Sequence, residues 1–118
     1  MTPATSMIVR DLTAAFLVAK RAAEKAGDNE EDSGTCNLDT PIFRVKGVRR
    51  AVLEAAAAAA GLRIGEMDWF GERWFFLHTP CAGQASRRAR MAEAAEYALR
   101  LAADSIPNMS VALWQHAD

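Results

Sequence analysis

Three arginines lie at the start of a predicted helix, where an anion is stabilised. The segment Gly83 to Glu93, GQASRRARMAE, places Arg87, Arg88 and Arg90 in the opening turns and Gln84 just before them. Unpaired backbone N–H groups and the positive end of the helix dipole lie at such a terminus. Cations there are unfavourable without an anion, and guanidinium groups bind phosphate through paired hydrogen bonds. These residues therefore form a candidate phosphate site. The alternative is a solvated basic face that pairs with nearby acids.

A turn rich in Gly, Asn and Asp precedes the first predicted strand. Its sequence is GTCNLDT, from Gly34 to Thr40. The side-chain oxygens of Asn37 and Asp39 can accept hydrogen bonds from neighbouring backbone N–H groups, so a plain turn is one interpretation. The other is that Asn37 and Asp39 read hydroxyl or amide groups of a ligand.

A second basic set lies at the end of the first predicted strand and the start of the following helix. It consists of Arg44, Lys46, Arg49 and Arg50. In the predicted fold, both helices follow strands that we expect to end on the same side of the sheet. The two basic sets would then be able to converge on one ligand; two separate solvated patches are the alternative.

Aromatic residues border a predicted hairpin turn. Trp69, Phe70 and Trp74 flank a short segment that contains Gly71. An exposed ring here would stack on a base or contribute to a subunit contact. We include Trp69 among the candidate ligand-binding residues.

No complete enzyme signature is present in the sequence. It contains no nucleotide-binding glycine motif, no zinc-protease motif and no nucleophile elbow. The histidines are His78 and His116 and the cysteines are Cys36 and Cys81, and none has a local partner that would complete a catalytic or metal-binding set. We therefore predict a non-catalytic protein with no cofactor and no metal.

The elements that must position these residues follow from hydrophobic periodicity. An N-terminal helix is predicted to residue 27, an acidic loop over 28–35 and an α+β core over 36–118, all in a single domain. Thr5 and Ser6 are expected to cap the first helix. The core has the order strand, helix, strand, strand, helix, strand, which is the split arrangement of ferredoxin-like antiparallel sheets. The strands are predicted at Thr40–Val45, Arg63–Trp69 (with a bulge at Gly65), Arg73–His78 and from Met109. The helices are predicted to open at Lys46-Gly47 and Ser86.

Composition limits the classes of partner. The chain has 118 residues, 51% of them hydrophobic, and a formal net charge of -1. This balance argues against binding duplex nucleic acid, which requires a strong basic excess. No stretch is long and apolar enough to predict a signal peptide or a membrane span. Two cysteines without a framework favour a cytoplasmic protein with reduced thiols.

Three segments together resemble a set of small phage and prophage proteins. The shared features are a G-T-C-N-x-D turn, a G-Q-x-x-R-R helix start and a final strand with a W-Q-x-x-D ending, and they span Gly34 to Asp118. The set is similar to the first Thoeris anti-defence family, phage proteins that sequester cyclic ADP-ribose-type signals without degrading them. Ser86, Met91 and His116 depart from the pattern of that set, which leaves the ligand open.

The resemblance implies a homo-oligomer with ligand pockets between subunits. Arg87, Arg88 and Arg90 would then hold phosphate, with Asn37 and Asp39 in support. A different function is an inhibitor that binds a host defence complex through its acidic loop, Asp28 to Asp32, which would imitate nucleic-acid phosphates. A small enzyme that uses Cys36 or Cys81 ranks last.

Overall fold

The computed structural model describes residues 2–28, 38–78 and 85–115, with only the backbone of residue 85. These residues form three helices and a four-stranded sheet, in the order predicted from the sequence. The α+β class, the N-terminal helix and the antiparallel β-α-β-β-α-β unit are therefore confirmed. In chain order the elements are α1 (Pro3–Asp28), β1 (Thr40–Val45), α2 (Arg50–Ala59), β2 (Arg63–Trp69), β3 (Glu72–His78), α3 (Ala85–Ala103) and β4 (Met109–Trp114).

The sheet has the strand order β2-β3-β1-β4, and every neighbouring pair is antiparallel. Each helical crossover therefore skips one strand: β3 separates β1 from β2, and β1 separates β3 from β4. The run Trp74 to Leu77, which has no polar side chain, lies on the interior strand β3, as its composition predicts.

The helices pack on one face of the sheet, with α1 between the other two. Helix α1 contacts both α2 and α3, which do not contact each other in the described part of the chain. This differs from a strict ferredoxin-like layout, in which the two crossover helices are neighbours. The ring of Phe16 on α1 lies 5.1 Å from that of Phe43, which lies 6.0 Å from that of Phe75. These three rings join α1 to β1 and β3 at the centre of the core.

Small side chains let α1 pack closely against α2. Ala56 and Ala57 are buried at this contact. The hydroxyl of Thr13 donates to the carbonyl of Val9 at 2.7 Å and lies 3.4 Å from the carbonyl oxygen of Ala56. The alanine tract of α2 thus provides a flat surface for the N-terminal helix.

Helix α1 begins earlier than predicted. The backbone N–H of Thr5 donates to the hydroxyl of Thr2 at 3.1 Å, so Thr2 is the capping residue in place of Thr5 or Ser6. Pro3 then occupies the first helical position, where its missing N–H costs nothing. The predicted buried face is confirmed from Leu12 to Ala23.

The predicted start and buried face of α2 are wrong. Gly47 has φ +84 and belongs to a turn, so the helix begins at Arg50 instead of Lys46. Its buried residues are Leu53, Ala56 and Ala57. The apolar stripe predicted from the spacing was Val48, Val52, Ala55, Ala56 and Ala59, and of these only Ala56 is buried. Alanines look alike at every spacing, so the single leucine fixes the orientation of this helix.

Helix α3 also turns a different face to the core than predicted at its C-terminal half. Leu99 is fully buried, whereas Leu101 is 56% exposed. The predicted burial of Met91, Ala95 and Ala98 is confirmed. Leu101 instead lies beside α1 on the outer surface of the helical layer.

The β2–β3 hairpin is regular, and the predicted bulge at Gly65 is wrong. Pairing continues without interruption from Arg63 opposite His78 to Trp69 opposite Glu72. Gly65 is needed for another reason: a Cβ there would lie 2.2 Å from the ring of Phe76. The ring therefore occupies the space above the glycine.

The sheet face away from the helices carries large side chains and is called the open face below. Alternate residues of a strand point to opposite faces. Phe43 and Phe75 face the helices, so their neighbours Ile42, Trp74 and Phe76 point to the open face. By the same alternation, Trp69 and Trp114 belong to this face.

Candidate functional site

A small polar cavity lies where α3 begins against the end of the sheet. Its volume is about 150 Å³. Within it, the Nη2 of Arg88 lies 3.4 Å from the hydroxyl of Thr40, and Asp39 is 6% exposed. We call it the Arg88 pocket, lined by Asp39, Thr40, Pro41, Phe76, Leu77, His78 and Arg88.

Helical spacing explains why Arg88 faces the sheet. The buried residues of α3 include Met91, Ala92 and Ala95. Arg88 lies three and four residues before the first two, so it continues the same face by one turn. The arginine is therefore held over the start of β1 by the packing of the helix behind it.

Two of the arginines have buried nitrogen atoms without a partner. The Nε atoms of Arg87 and Arg88 are inaccessible to solvent and make no hydrogen bond within the described ranges. The first turn of α3 carries no acidic residue. A buried donor without an acceptor is unfavourable, and the helix dipole adds to the positive potential. The start of α3 is therefore suited to an anion.

Arg90 does not belong to this arrangement. Its side chain is 60% exposed, and its Nη1 lies 3.0 Å from a carboxylate oxygen of Glu93 on the same helix. The sequence grouped it with Arg87 because the two are three residues apart. The structure places Arg90 on the solvent side of α3, opposite the face that holds Arg88.

Asp39 supplies a carboxylate to the same pocket. It lines the cavity with Arg88, as the sequence hypothesis expected of these two residues. A carboxylate accepts hydrogen bonds from hydroxyl or amino groups and repels a second anion. The pocket thus contains both a guanidinium and a carboxylate. Asn37 and Gln84, the other predicted residues, lie outside the described residues.

Sequence reasoning missed two polar members of the pocket. Thr40 is 9% exposed and accepts from Arg88, although the sequence marked it only as the first residue of a strand. His78 is exposed at the end of β3 and also lines the cavity, and its ring lies edge-on to Phe76 at 4.8 Å. Only the antiparallel pairing of β1 and β3 brings these two strand ends together, which single-strand patterns do not reveal.

The second basic set does not converge with the first. Strands β1 and β3 are antiparallel, so their C-terminal ends lie at opposite ends of the sheet. Helix α2 follows β1 and α3 follows β3, which separates their N-termini. The second set instead lines a cavity of about 290 Å³ at the start of α2, together with Arg73 from β3. We call these five residues the basic cluster: Arg44, Lys46, Arg49, Arg50 and Arg73. Trp69, which pairs with Glu72, also lies at this end.

Acidic residues neutralise much of the basic cluster. Arg50 contacts Glu54 at 2.5 Å and Glu66 at 2.6 Å, and Arg73 contacts Glu66 at 2.6 Å. The hydrogen bond from Arg73, followed by that from Arg50, holds the pKa of Glu66 below its ordinary value despite an opposing desolvation effect. Arg44 pairs with Glu72, and its guanidinium lies 5.8 Å from the ring centre of Trp74.

Other classes of site find no support in the described residues. Residues 2–28, 38–78 and 85–115 contain no group of three His, Cys, Asp or Glu side chains placed to hold a metal ion. None of the helices there has the length and apolarity needed to cross a membrane. Cys36, Cys81, His116 and residues 29–32 of the acidic loop lie outside these ranges.

Comparisons with known proteins give no relative. No family model, no curated protein and no solved structure matches the chain.

Proposed function

We propose that this protein binds a small phosphorylated ligand of the nucleotide type and sequesters it without converting it. The phosphate lies in the Arg88 pocket at the start of α3. The observation that carries this proposal is the pair of buried, unpartnered Nε atoms of Arg87 and Arg88 beside a helix N-terminus. A phosphate oxygen is the acceptor that fits such donors best.

The pocket is large enough for only one end of a nucleotide-type ligand. A cavity of about 150 Å³ is smaller than the roughly 300–1,000 Å³ typical of pockets that enclose a whole small molecule. It accommodates the phosphate and its immediate substituent. The remainder of the ligand lies outside the cavity, along the open face of the sheet.

Aromatic rings flank the pocket on that face. Phe76 lines the cavity, and Trp114 pairs directly with Thr40 across the β1–β4 ladder. Rings of this kind stack on nucleobases of any sequence. A base attached near the phosphate would thus stack on Phe76 of β3 or on Trp114 of β4, the strands on either side of Thr40.

Asp39 gives the site a preference among phosphorylated ligands. Its carboxylate lies in the same cavity as Arg88, so a bare phosphate meets both attraction and repulsion. A ligand whose hydroxyl or amino group donates a hydrogen bond to Asp39, and whose phosphate accepts hydrogen bonds from Arg88, satisfies both residues. Ribose phosphates have this combination.

The resemblance to phage anti-defence proteins supplies the biological setting of the proposal. A phage or mobile element would use such a protein in the host cytoplasm, as a homo-oligomer, to remove a cyclic nucleotide signal of a defence system. Sequestration requires tight binding and no catalytic group.

Isothermal titration calorimetry with a panel of cyclic nucleotides and cyclic ADP-ribose isomers tests the proposal. We expect stoichiometric binding of at least one member. Arg88→Ala should weaken it by roughly 10- to 100-fold, since a hydrogen bond to a charged group contributes about 1.5–3 kcal/mol. Arg88→Lys keeps the charge and loses the planar fork, so its effect should be intermediate.

Arg90→Ala is the matched control. It removes an arginine two residues away on the same helix, one that pairs with Glu93 and faces solvent. Affinity should be almost unchanged. Equal losses in Arg88→Ala and Arg90→Ala would mean that general charge, and not the pocket, holds the ligand. No binding by any member of the panel would overturn the proposal for this ligand class.

A further inference from the structure

An exposed phenylalanine forms the tip of the β2–β3 hairpin. Trp69 pairs with Glu72, so the connecting loop consists of Phe70 and Gly71 alone. Phe70 has φ +52 and Gly71 has φ +76. Two-residue hairpin loops with positive φ at both positions strongly favour Asn-Gly or Asp-Gly. The phenyl ring, which is 87% exposed, therefore occupies a position that local structure would assign to a small polar residue.

A phenylalanine at this position is unfavourable for the folded chain alone. A bulky side chain is strained where φ is positive, and an exposed ring forgoes the free energy of burial. The other non-glycine residue with positive φ among the described residues is Asn108, with φ +62, which is the residue type expected there. Strained residues of this kind persist where function requires them. The ring of Phe70 is therefore a candidate contact for a partner.

Two further aromatic rings connect Phe70 to the basic cluster. Its ring centre lies 4.8 Å from that of Trp69, which lies 5.1 Å from that of Trp74. The guanidinium of Arg44, which lines the cavity of the cluster, lies 5.8 Å from the ring centre of Trp74. A continuous series of contacts thus leads from the exposed ring to the cations at the same end of the sheet.

Two cations of the basic cluster are available to an anion. Lys46 and Arg49 are exposed and make no ion pair within the described ranges, unlike Arg44, Arg50 and Arg73. No carboxylate among the described residues lines the cavity of the cluster. The start of α2 therefore keeps positive charge beside the hairpin tip.

We infer that the hairpin tip and the basic cluster form a binding site for single-stranded nucleic acid. One unpaired base stacks on Phe70, and the adjacent phosphates contact Lys46 and Arg49. Duplex nucleic acid keeps its bases paired and stacked, so it offers no base to the ring. A lipid surface fits less well, since the exposed carboxylates of Asp68 and Glu72 border the turn and charged groups resist transfer out of water.

Fluorescence anisotropy with a fluorescein-labelled thymidylate strand of about 15 nucleotides tests this site at low salt. Phe70→Asn should weaken binding by roughly 5- to 100-fold, the usual effect of losing one stacking ring. Because Asn suits the turn, this variant should melt at the wild-type temperature or above, so its loss of binding is not a loss of the fold. Tyr97→Ala removes another exposed ring, on α3, and is the matched control that should bind like wild type.

Salt dependence and an abasic strand separate stacking from general charge attraction. Lys46→Ala/Arg49→Ala should flatten the slope of log affinity against log salt by about 1.4, since each phosphate contact of a single strand contributes about 0.7. Arg21→Ala/Arg90→Ala removes two exposed arginines of the helical layer and should leave the slope unchanged. An abasic strand of equal length should bind wild type and Phe70→Asn equally, and more weakly than thymidylate binds wild type.

Four results would overturn the inference. They are no binding of the thymidylate strand, equal affinity of wild type and Phe70→Asn for it, equal affinity of wild type for the thymidylate and abasic strands, and binding of phosphatidylserine vesicles in place of the strand. Arg88→Ala should leave oligonucleotide binding unchanged, so the Arg88 pocket and the hairpin tip can fail independently. A loss in Arg88→Ala as large as that in Phe70→Asn would place the strand at the Arg88 pocket and contradict the inference.

Discussion

The Arg88 pocket and the basic cluster lie at opposite ends of one sheet, and their arginines differ in the partners that they contact. The basic cluster lies at the start of α2 and the pocket at the start of α3, and the first turn of each helix lacks an acidic residue. In the basic cluster, Arg44, Arg50 and Arg73 each contact a glutamate. At the start of α3, the Nε atoms of Arg87 and Arg88 are buried without an acceptor in the described structure, and Arg88 also lines the pocket. Beside the cluster, the buried Nε1 of Trp74 also lacks an acceptor in the described structure, but it is uncharged, whereas the unpaired donors at the start of α3 are cationic.

The difference shows that an anion site is identified by cationic donors without an acceptor, and not by the number of basic residues. Exposed ion pairs contribute little to stability and leave no vacancy for a ligand. A buried donor without an acceptor is costly, and a ligand that supplies the acceptor recovers that cost. Four predictions separate the two ends, from the largest expected effect to the smallest.

Two tryptophans of the open face should contribute unequally to ligand binding. Trp114 pairs with Thr40 beside the Arg88 pocket, whereas Trp69 lies at the other end of the sheet. Trp114→Ala should weaken binding by roughly 5- to 100-fold, the usual effect of losing one base-stacking ring. Trp69→Ala should change it little. Calorimetry checks both, and a larger loss with Trp69 would move the ligand toward the basic cluster.

Substitution of Gly65 should disturb the Arg88 pocket through Phe76. Gly65→Val places new atoms where the Phe76 ring lies, so stability should fall by about 1–3 kcal/mol. Ligand affinity should fall with it, because Phe76 lines the pocket. Met67→Val, on the same strand and face, is the control and should be milder. Chemical unfolding measures both; equal stability of Gly65→Val and wild type would contradict the close contact.

The same substitution at the two ends should change stability in opposite directions. Arg88→Met removes a buried Nε without an acceptor, together with the long 3.4 Å hydrogen bond from Nη2 to Thr40, and should stabilise the ligand-free protein by up to about 1 kcal/mol. Arg50→Met removes contacts to Glu54 and Glu66 and should slightly destabilise it. Urea unfolding without ligand provides the comparison. If Arg88→Met is the destabilising change, the hydrogen bond to Thr40 and the packing of the side chain outweigh the unpaired Nε.

The smallest effect concerns pH and the basic cluster. The pKa of Glu66 is lowered, chiefly by the hydrogen bond from Arg73. A lowered folded pKa stabilises the protein above the unfolded value, and this contribution is lost as pH falls through the folded value. The stability of wild type relative to Glu66→Gln should therefore decline between about pH 6 and pH 3. A difference that stays constant over this range would show that the ion pairs do not contribute.

The sequence could predict features that depend on local periodicity, but not those that depend on tertiary packing. The strand limits of β1 and β2 and the buried face of α1 follow from local periodicity, and they are confirmed. The start of α2, the orientation of Leu101 and the role of Gly65 depend on what packs opposite, and those predictions were wrong. The resemblance implied that Arg88 and Asp39 serve one ligand site, and both line the same cavity. The separation of Arg44 and Trp69 from Arg88 follows from the antiparallel pairing of β1 with β3, which the sequence argument overlooked.

The most direct test compares paired arginine variants at the two helix starts. Arg87→Ala/Arg88→Ala and Arg49→Ala/Arg50→Ala each remove two charges, so general electrostatic effects are matched. With the ligand identified in the panel, calorimetry should detect no binding by the α3 variant and nearly wild-type affinity for the α2 variant. The reverse result, with binding lost only at α2, would contradict the assignment of the anion site to the Arg88 pocket.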